Sequence, residues 1–407
     1  MTAENKAWWR ERVVYQIYPR SFQDSNGDGI GDLPGITKRL AELAGLGIGV
    51  IWLSPVYASP NVDNGYDISD YYAVNPEYGT LVDLKCLIQE AARLDIKIIM
   101  DLVINHTSDR HEWFIQSRDP QSPFRDYYIW RPGRDGGPPN NWSGFFGGSC
   151  WTMDGRSGEY YLHLFAPAQP DLNYRNPAVL EEVKAVMRFW LDLGISGFRC
   201  DVINILHKES LADGKPGLIL RGQEHYLTRE GTHEILRRLR REVLDDFDCF
   251  TVGETVFVTL QDARGLCAPE RRELDMVFSF EHMETDQYFV KWFKRRFNPA
   301  RFGRVLARWQ SGLEWNANYL ENHDQPRSVS RFGDARSFHK ESAKLLAVLL
   351  LALRGTPFIY QGQEIGMTNF DFAGMEQVRD VESINIDRLA RHLHFPARLR
   401  WRMRSEE

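Results

Sequence analysis

Eight short apolar runs, spaced along the whole chain, limit its fold more than any other feature. They fall at 13–19, 49–55, 96–105, 195–204, 249–255, 275–280, 315–324 and 356–366. Spans with helical spacing of apolar residues separate most of them, at 34–46, 81–94, 176–193, 231–246, 298–312 and 338–353. The pattern after the fifth run is faint. Eight strands alternating with helices predict an α/β fold, a (β/α)8 TIM barrel rather than an open doubly wound sheet. In such a barrel the C-terminal ends of the strands carry the chemistry.

Two stretches break the alternation. Residues 106–174, between the third and fourth runs, are rich in Gly, Pro, Asn and aromatics (RPGRDGGPPNNWSGFFGGSCW). A connection of that length predicts an inserted subdomain, here over one side of the barrel mouth. The barrel itself then takes residues 1–105 and 175–366. The second stretch, 367–407, reads as an irregular tail. Residues 377–392 are compatible with a helix that Pro396 would stop, but neither an eighth barrel helix nor a terminal β domain is legible. The outer faces of the first and eighth strands, Ile359 included, are therefore expected to lack cover.

Charge and composition narrow the function. A net charge of −6 gives no electrostatic case for nucleic acid or an anionic membrane. The longest apolar run, 345–353, is too short to span a bilayer, and residues 1–12 lack the apolar core of a signal peptide. Five Cys, an odd number with no CxxC pair, predict reduced thiols and a cytoplasmic location. Aromatic residues make up 13% of the chain, which suits stacking on sugar rings. The sequence sets no oligomeric state.

Polar residues cluster at the strand ends: Asn105-His106, Arg199-x-Asp201, Gly253-Glu254 and Asn322-His323-Asp324. The loop after the second strand adds Asp63-Asn64-Gly65-Tyr66-Asp67. A strand's period of 2 places Arg199 and Asp201 on one face, as a buried structural ion pair or as a carboxylate held ionised for catalysis. Glu254, after Gly253 on an apolar strand, is expected to be harder to ionise. One ionised carboxylate and one proton donor on neighbouring strands suit glycoside hydrolysis. Separately, Asp24, Asn26, Asp28, Ile30 and Asp32 alternate with small residues, as an Asp/Gly-rich turn or as a wrap around one hard cation. The bidentate Glu of an EF-hand is missing, since Gly35 stands in its place.

The segments DLVINH (101–106), GFRCDVIN (197–204), VGET (252–255) and ENHD (321–324) resemble, in order, the four signature regions of the alpha-amylase superfamily, glycoside hydrolase family 13. QPDLN (169–173), YQIYPRSFQDSNGDGIGDLPGI (15–36) and IYQGQEIGM (359–367) resemble its oligo-1,6-glucosidase subfamily. The resemblance implies Asp201 as nucleophile, Glu254 as acid/base and Asp324 as the third carboxylate, gripping sugar hydroxyls. It implies Arg199 orienting Asp201, and His106 and His323 binding the sugar at the cleavage point. Tyr66 would stack under that sugar and Asp63 would grip its non-reducing end, an exo-acting pocket with Phe165 and Gln169 in its wall. Phe145 and Phe146 line the leaving-group side or belong to the core. Val202 matches relatives that prefer α-1,6 bonds. The resemblance supports a structural Ca2+ or Mg2+ on Asp24, Asn26, Asp28, Asp32 and the Ile30 carbonyl. The implied substrate is a small isomalto-oligosaccharide. Trehalose-6-phosphate hydrolases and sucrose- or maltose-type α-glucosidases share these motifs. A non-catalytic carbohydrate-binding or partner domain is the reading from a different class. Residues 367–407 depart from the pattern: the Arg-bearing segment that pairs with the carboxylate at Asp63 is not among them.

Overall fold

The computed structural model describes residues 3–217, 219–288 and 290–396. The Arg-rich end of the expected tail lies outside the described residues. Eight parallel strands form one sheet: β1 (Val14–Ile17), β2 (Val50–Leu53), β3 (Lys97–Leu102), β4 (Gly197–Cys200), β5 (Phe250–Glu254), β6 (Met276–Phe278), β7 (Ala317–Asn318) and β8 (Thr356–Tyr360). Their order is β6-β5-β4-β3-β2-β1-β8-β7. Strands β1 and β8, where cover was expected to be missing, pair in register, Val14 with Phe358 and Gln16 with Tyr360. Ile359 is half-buried and packs against two apolar clusters, so its expected exposure is not seen. No ladder joins β6 to β7 among the described residues. The rings of Phe278 and Tyr319, edge to face at 5.2 Å, fill that gap.

Strand alternation sorts the core into two layers. Val14, Val50, Trp52, Ile99, Phe250, Val252, Met276, Phe278 and Phe358 share one cluster inside the barrel. Tyr15, Ile51, Ile98, Met100, Phe198 and Val277 pack outward, with Leu33, Ile36, Leu84, Leu87, Val183 and Trp190 of the helices.

The helices start where side chains can take up orphan backbone amides. Helix α1 (Leu33–Gly45) begins at Asp32, whose carboxylate accepts from Gly35 N. Helix α2 (Leu81–Arg93) has a Thr80/Asp83 capping box. Helix α3 (Pro177–Leu193) starts after Asn176 and stops at Gly194, which takes φ +112°. Helices α4 (Glu230–Glu242), α5 (Leu260–Cys267), α6 (Pro299–Gly312) and α7 (His339–Ala352) follow. The faint one is α5. It is only eight residues long, and its readable sign is the Thr259/Asp262 capping box rather than periodicity.

Between β3 and β4 the chain forms the helix Glu112–Ser117 and a three-stranded antiparallel sheet of Trp130–Arg131, Tyr160–Leu162 and Trp151–Met153. Trp142, Cys150, Trp151, Leu162 and Leu164 pack there with Val202, Ile205 and Tyr226 from the segment after β4. The insertion is thereby seated on the barrel mouth.

The tail is not wholly irregular: the span 377–392, compatible with a helix by its sequence, holds one. Val381–His392 is a helix, capped by Asp380 through the amides of Glu382 and Ser383. Glu382 pairs with Lys291 at 2.6 Å, and Asn385 Nδ2 donates to Phe146 O at 3.5 Å. The helix therefore lies across the mouth, between the insertion and the antiparallel pair Gln287–Tyr288 and Val290–Lys294 that follows β6.

Candidate active site

Register builds the site in layers. Asp101 on β3 lies beside Arg199 on β4, and Cys200 beside Gly253 on β5. The next residues along, Asp201 and Glu254, thus emerge as neighbours at the strand ends. Asp101, Arg199, Asp201 and Glu254 face the interior. Arg199 is 1% exposed. Its Nη1 donates to Asp101 Oδ1 and, at 2.7 Å, to Asp201 Oδ1. Its Nη2 lies 2.8 Å from Glu254 Oε2.

This geometry modifies the reading of Arg199 as a partner of Asp201 alone. Three carboxylates share one guanidinium, and Glu254 is not set apart in an apolar environment. Burial pushes the Asp201 carboxyl up; Arg199 opposes this, while the charges of Glu254 and Asp101 add to it. Burial raises Asp101 to about 6, again against Arg199. Asp101 also accepts from Trp52 Nε1 at 2.7 Å. Asp101 is a site residue that the sequence reading does not single out; on β3 it faces inward with Ile99, two residues before it.

The two histidines stand on either side of Tyr66. Tyr66 stacks on His323 with centroids 5.5 Å apart and ring planes 9° apart, and its hydroxyl lies 2.5 Å from His323 Nε2. Gln16 Nε2 is 2.8 Å from His323 Nδ1. His106 Nε2 lies 3.2 Å from Tyr66 O. Burial lowers His106 to about 4 and His323 to about 3. Both rings are therefore neutral near pH 7 and act through hydrogen bonds. Asp324, its side chain half-exposed, reaches His323 Nε2 at 3.3 Å.

Asp63 and Gln169 meet beside His106. Gln169 Nε2 donates to Asp63 Oδ2 at 2.8 Å, and its Oε1 accepts from Ala166 N. Burial raises Asp63 to about 7, with the Gln169 hydrogen bond opposing. Phe165 packs against the His106 ring at 5.1 Å and stacks on Phe145 at 4.9 Å. Phe145 thus serves the wall and the insertion's core together. Phe146 touches Phe165 and, through its carbonyl, Asn385.

Val202 sits in the left-handed region, φ +36° and ψ 40°, a strained conformation for a β-branched residue. Its N–H donates to Glu254 Oε2 at 3.3 Å. The side chain is 6% exposed and packs in the insertion's cluster.

The Asp24–Asp32 loop lies apart from these groups. Asp24 accepts from the amides of Asn26, Gly27 and Gly29, and Asp28 from that of Ile30. These bonds hold the Asp24 carboxyl below its usual range. Asp32 is committed to the amides of Gly35 and Ser25. Among the described residues no group of three or more His, Cys, Asp or Glu gathers at metal-binding distance. Any cation here would take Asn26 and the Ile30 carbonyl as well as carboxylates.

Three carboxylates on one guanidinium, a fourth beside a histidine and an aromatic platform can bind a sugar ring and act on both sides of its anomeric carbon. The chain is similar to known proteins along most of its length. The family model for the alpha amylase catalytic domain matches residues 16–395. The chain is 53% identical over 390 residues to the oligo-1,6-glucosidase of Parageobacillus thermoglucosidasius, covering 94% of this chain and 69% of that protein. It is 45% identical over 396 residues to the trehalose-6-phosphate hydrolase of Bacillus subtilis (strain 168), covering 95% and 70%. The crystal structure of isomaltulose synthase from Klebsiella sp. LX3 superposes with a TM-score of 0.94 at 42% identity, covering 98% of this chain and 74% of that one. With its barrel, inserted subdomain and strand-end carboxylates, the chain belongs to the alpha-amylase family of glycoside hydrolases.

Proposed function

We propose that the protein is a retaining, exo-acting α-glucosidase that releases terminal α-1,6-linked glucose from small isomalto-oligosaccharides. The observation that carries this reading is the pair Asp201 and Glu254, side by side at the ends of β4 and β5 and held by one guanidinium, with Asp63 and Gln169 joined beside His106. Asp201 attacks the anomeric carbon as Glu254 protonates the departing glycosidic oxygen, so the C–O bond breaks and a glucosyl ester forms. Glu254 then takes a proton from water, which attacks the same carbon and frees Asp201. Asp324, His106 and His323 hold the sugar hydroxyls, and Tyr66 supports the ring. The names of the relatives support the α-1,6 linkage and the hydrolytic outcome.

The test is hydrolysis of p-nitrophenyl α-glucoside, then of isomaltose, maltose, sucrose and trehalose-6-phosphate. Isomaltose is expected to give the highest kcat/KM. Preference for trehalose-6-phosphate would transfer the protein to that hydrolase group, and no turnover on any would favour a binding or partner role. We also propose that the Asp24–Asp32 loop holds a structural Ca2+ or Mg2+. Its carboxylates keep lone pairs beyond those used on backbone amides, and such an ion would tie the loop after β1 to the start of α1. The free thiols support a reducing, cytoplasmic setting.

A further inference from the structure

Behind His106 lies a buried chain of polar groups that the proposed reaction does not use. Lys208 is 3% exposed. Its ammonium meets Asp171 Oδ2 at 2.6 Å and Asn105 Oδ1 at 2.8 Å. Asn105 and Asp171 are fully buried. An ammonium has three donors and no acceptor, so the oxygen of the Asn105 amide must face Lys208 and its NH2 must face the other way. On that other side, 3.3 Å from Asn105 Nδ2, is His106 Nδ1. An NH2 pointed at Nδ1 requires that nitrogen to be the acceptor, which leaves the ring proton on Nε2. Two neighbours face Nε2. Tyr66 O, an acceptor, is at 3.2 Å. Gln169 Nε2 is also at 3.2 Å, with one of its two N–H groups donated to Asp63, so the Asn105 contact at Nδ1 decides the tautomer. An Nε2–H ring satisfies the carbonyl and directs its donor toward the pocket.

We propose that Lys208 is a positioning residue: by orienting the Asn105 amide it fixes His106 as an Nε2–H donor toward the bound sugar. This deepens the proposed function, since it concerns the hydrogen bond that His106 offers to substrate. The insertion supplies the other half of the device. Asp171 pairs with His106 by a backbone bridge, and Leu172 N donates to Asn105 O at 2.9 Å. Docking of the insertion thereby delivers the counter-ion that keeps Lys208 charged inside the protein. Burial lowers the His106 ring's pKa; Lys208 adds to this, while Asp171 and the hydrogen bond to Tyr66 O oppose it.

The experiment is 15N NMR of the full chain labelled at histidine, free of substrate, with His106 assigned by loss of its signals in His106→Gln. The free-enzyme readout keeps a failure here distinct from a failure of the proposed activity. The wild type should show the Nε2–H tautomer at pH 7. Lys208→Met should give a mixture or the Nδ1–H form, with kcat/KM on p-nitrophenyl α-glucoside reduced about tenfold, the worth of one hydrogen bond. Asn105→Asp keeps a partner for Lys208 but presents an acceptor to Nδ1, so it should switch the ring to Nδ1–H and raise its pKa. This variant keeps the test decisive should Lys208→Met fail to fold. An Nδ1–H ring in the wild type, or Asn105→Asp with the wild-type tautomer, would overturn the proposal.

Discussion

Replacing Arg199 by Met should destabilise the protein in a way that depends on pH. The guanidinium is 1% exposed, and the side chains of Asp101, Asp201 and Glu254 around it are at most 9% exposed. Removing it leaves three buried carboxylates without their shared cation. Breaking a buried pair by deleting one partner costs about 3–5 kcal/mol, a large share of the ~5–15 kcal/mol that holds a domain folded. The pH dependence follows from the carboxyls. Asp101 and Asp201 already have folded-state pKa values above their unfolded ones, Asp101 at about 6. A raised carboxyl contributes stability below its unfolded pKa, and that contribution is lost as pH rises through the folded value. Without Arg199 both values rise further. The gap between wild type and variant should therefore be small at pH 5, widen through pH 6, and widen by up to about 1.4 kcal/mol per pH unit for each carboxyl. Urea unfolding at pH 5, 6.5 and 8 reads this directly. A gap under about 1 kcal/mol at pH 8, or one that does not change with pH, would refute the reasoning that Arg199 neutralises the set.

Further outcomes follow from other parts of the molecule. His282, buried with its Nε2 2.9 Å from Tyr319 O, has a folded-state value depressed to about 4, so the wild type should lose stability relative to His282→Gln as pH falls from 6.5 toward 4. The histidine's stabilising share is present above its unfolded pKa and lost as pH falls, by up to about 1.4 kcal/mol per pH unit; a wild-type-minus-variant difference in urea unfolding that stays constant from pH 7 to 4.5 would contradict this. Asp63 must be ionised to accept sugar hydroxyls and is raised to about 7, so kcat/KM should rise with pH through that region. Asp63→Asn should lose this limb while KM for isomaltose increases. Val202→Ala should favour maltose over isomaltose by roughly 1–3 kcal/mol in relative kcat/KM; an unchanged ratio would place linkage preference elsewhere. For the Asp24–Asp32 loop, a chelator should lower the melting temperature of the wild type but not of Asp28→Ala, and equal curves with and without chelator would count against a bound cation.

The parts of this molecule legible in its sequence are those set by period and by motif. Alternation placed all eight strands because each barrel strand is buried on both faces and reads as an apolar run. The period of 2 put Arg199 and Asp201 on one side, and the structure agrees. What escaped depends on contacts between distant segments. That Arg199 also serves Asp101 and Glu254 follows from the register of β3, β4 and β5, which no local pattern encodes. The helix Val381–His392 was legible as a helix-compatible span, but its place was not, because it has no barrel strand to cover. It packs across the mouth, through Glu382 on Lys291 and Asn385 on Phe146. Helix α5 was faint because two turns give a weak periodic signal, and its capping box was the clearer sign. Val202 was read from its side chain alone. Its left-handed backbone, which aims an amide at Glu254, is visible only in three dimensions.

The central claim is that Asp201 forms a covalent bond to glucose with Glu254 as its acid/base partner. Trapping with 5-fluoro-α-glucosyl fluoride tests it most directly: the protein is labelled, digested and mapped by mass spectrometry. The account predicts one glucosyl adduct, on the peptide at Asp201, that disappears in Asp201→Asn. In Glu254→Gln the adduct should still form from this activated donor but turn over more slowly. An adduct on Glu254, or none at all with β-glucose as the first product from isomaltose, would contradict it.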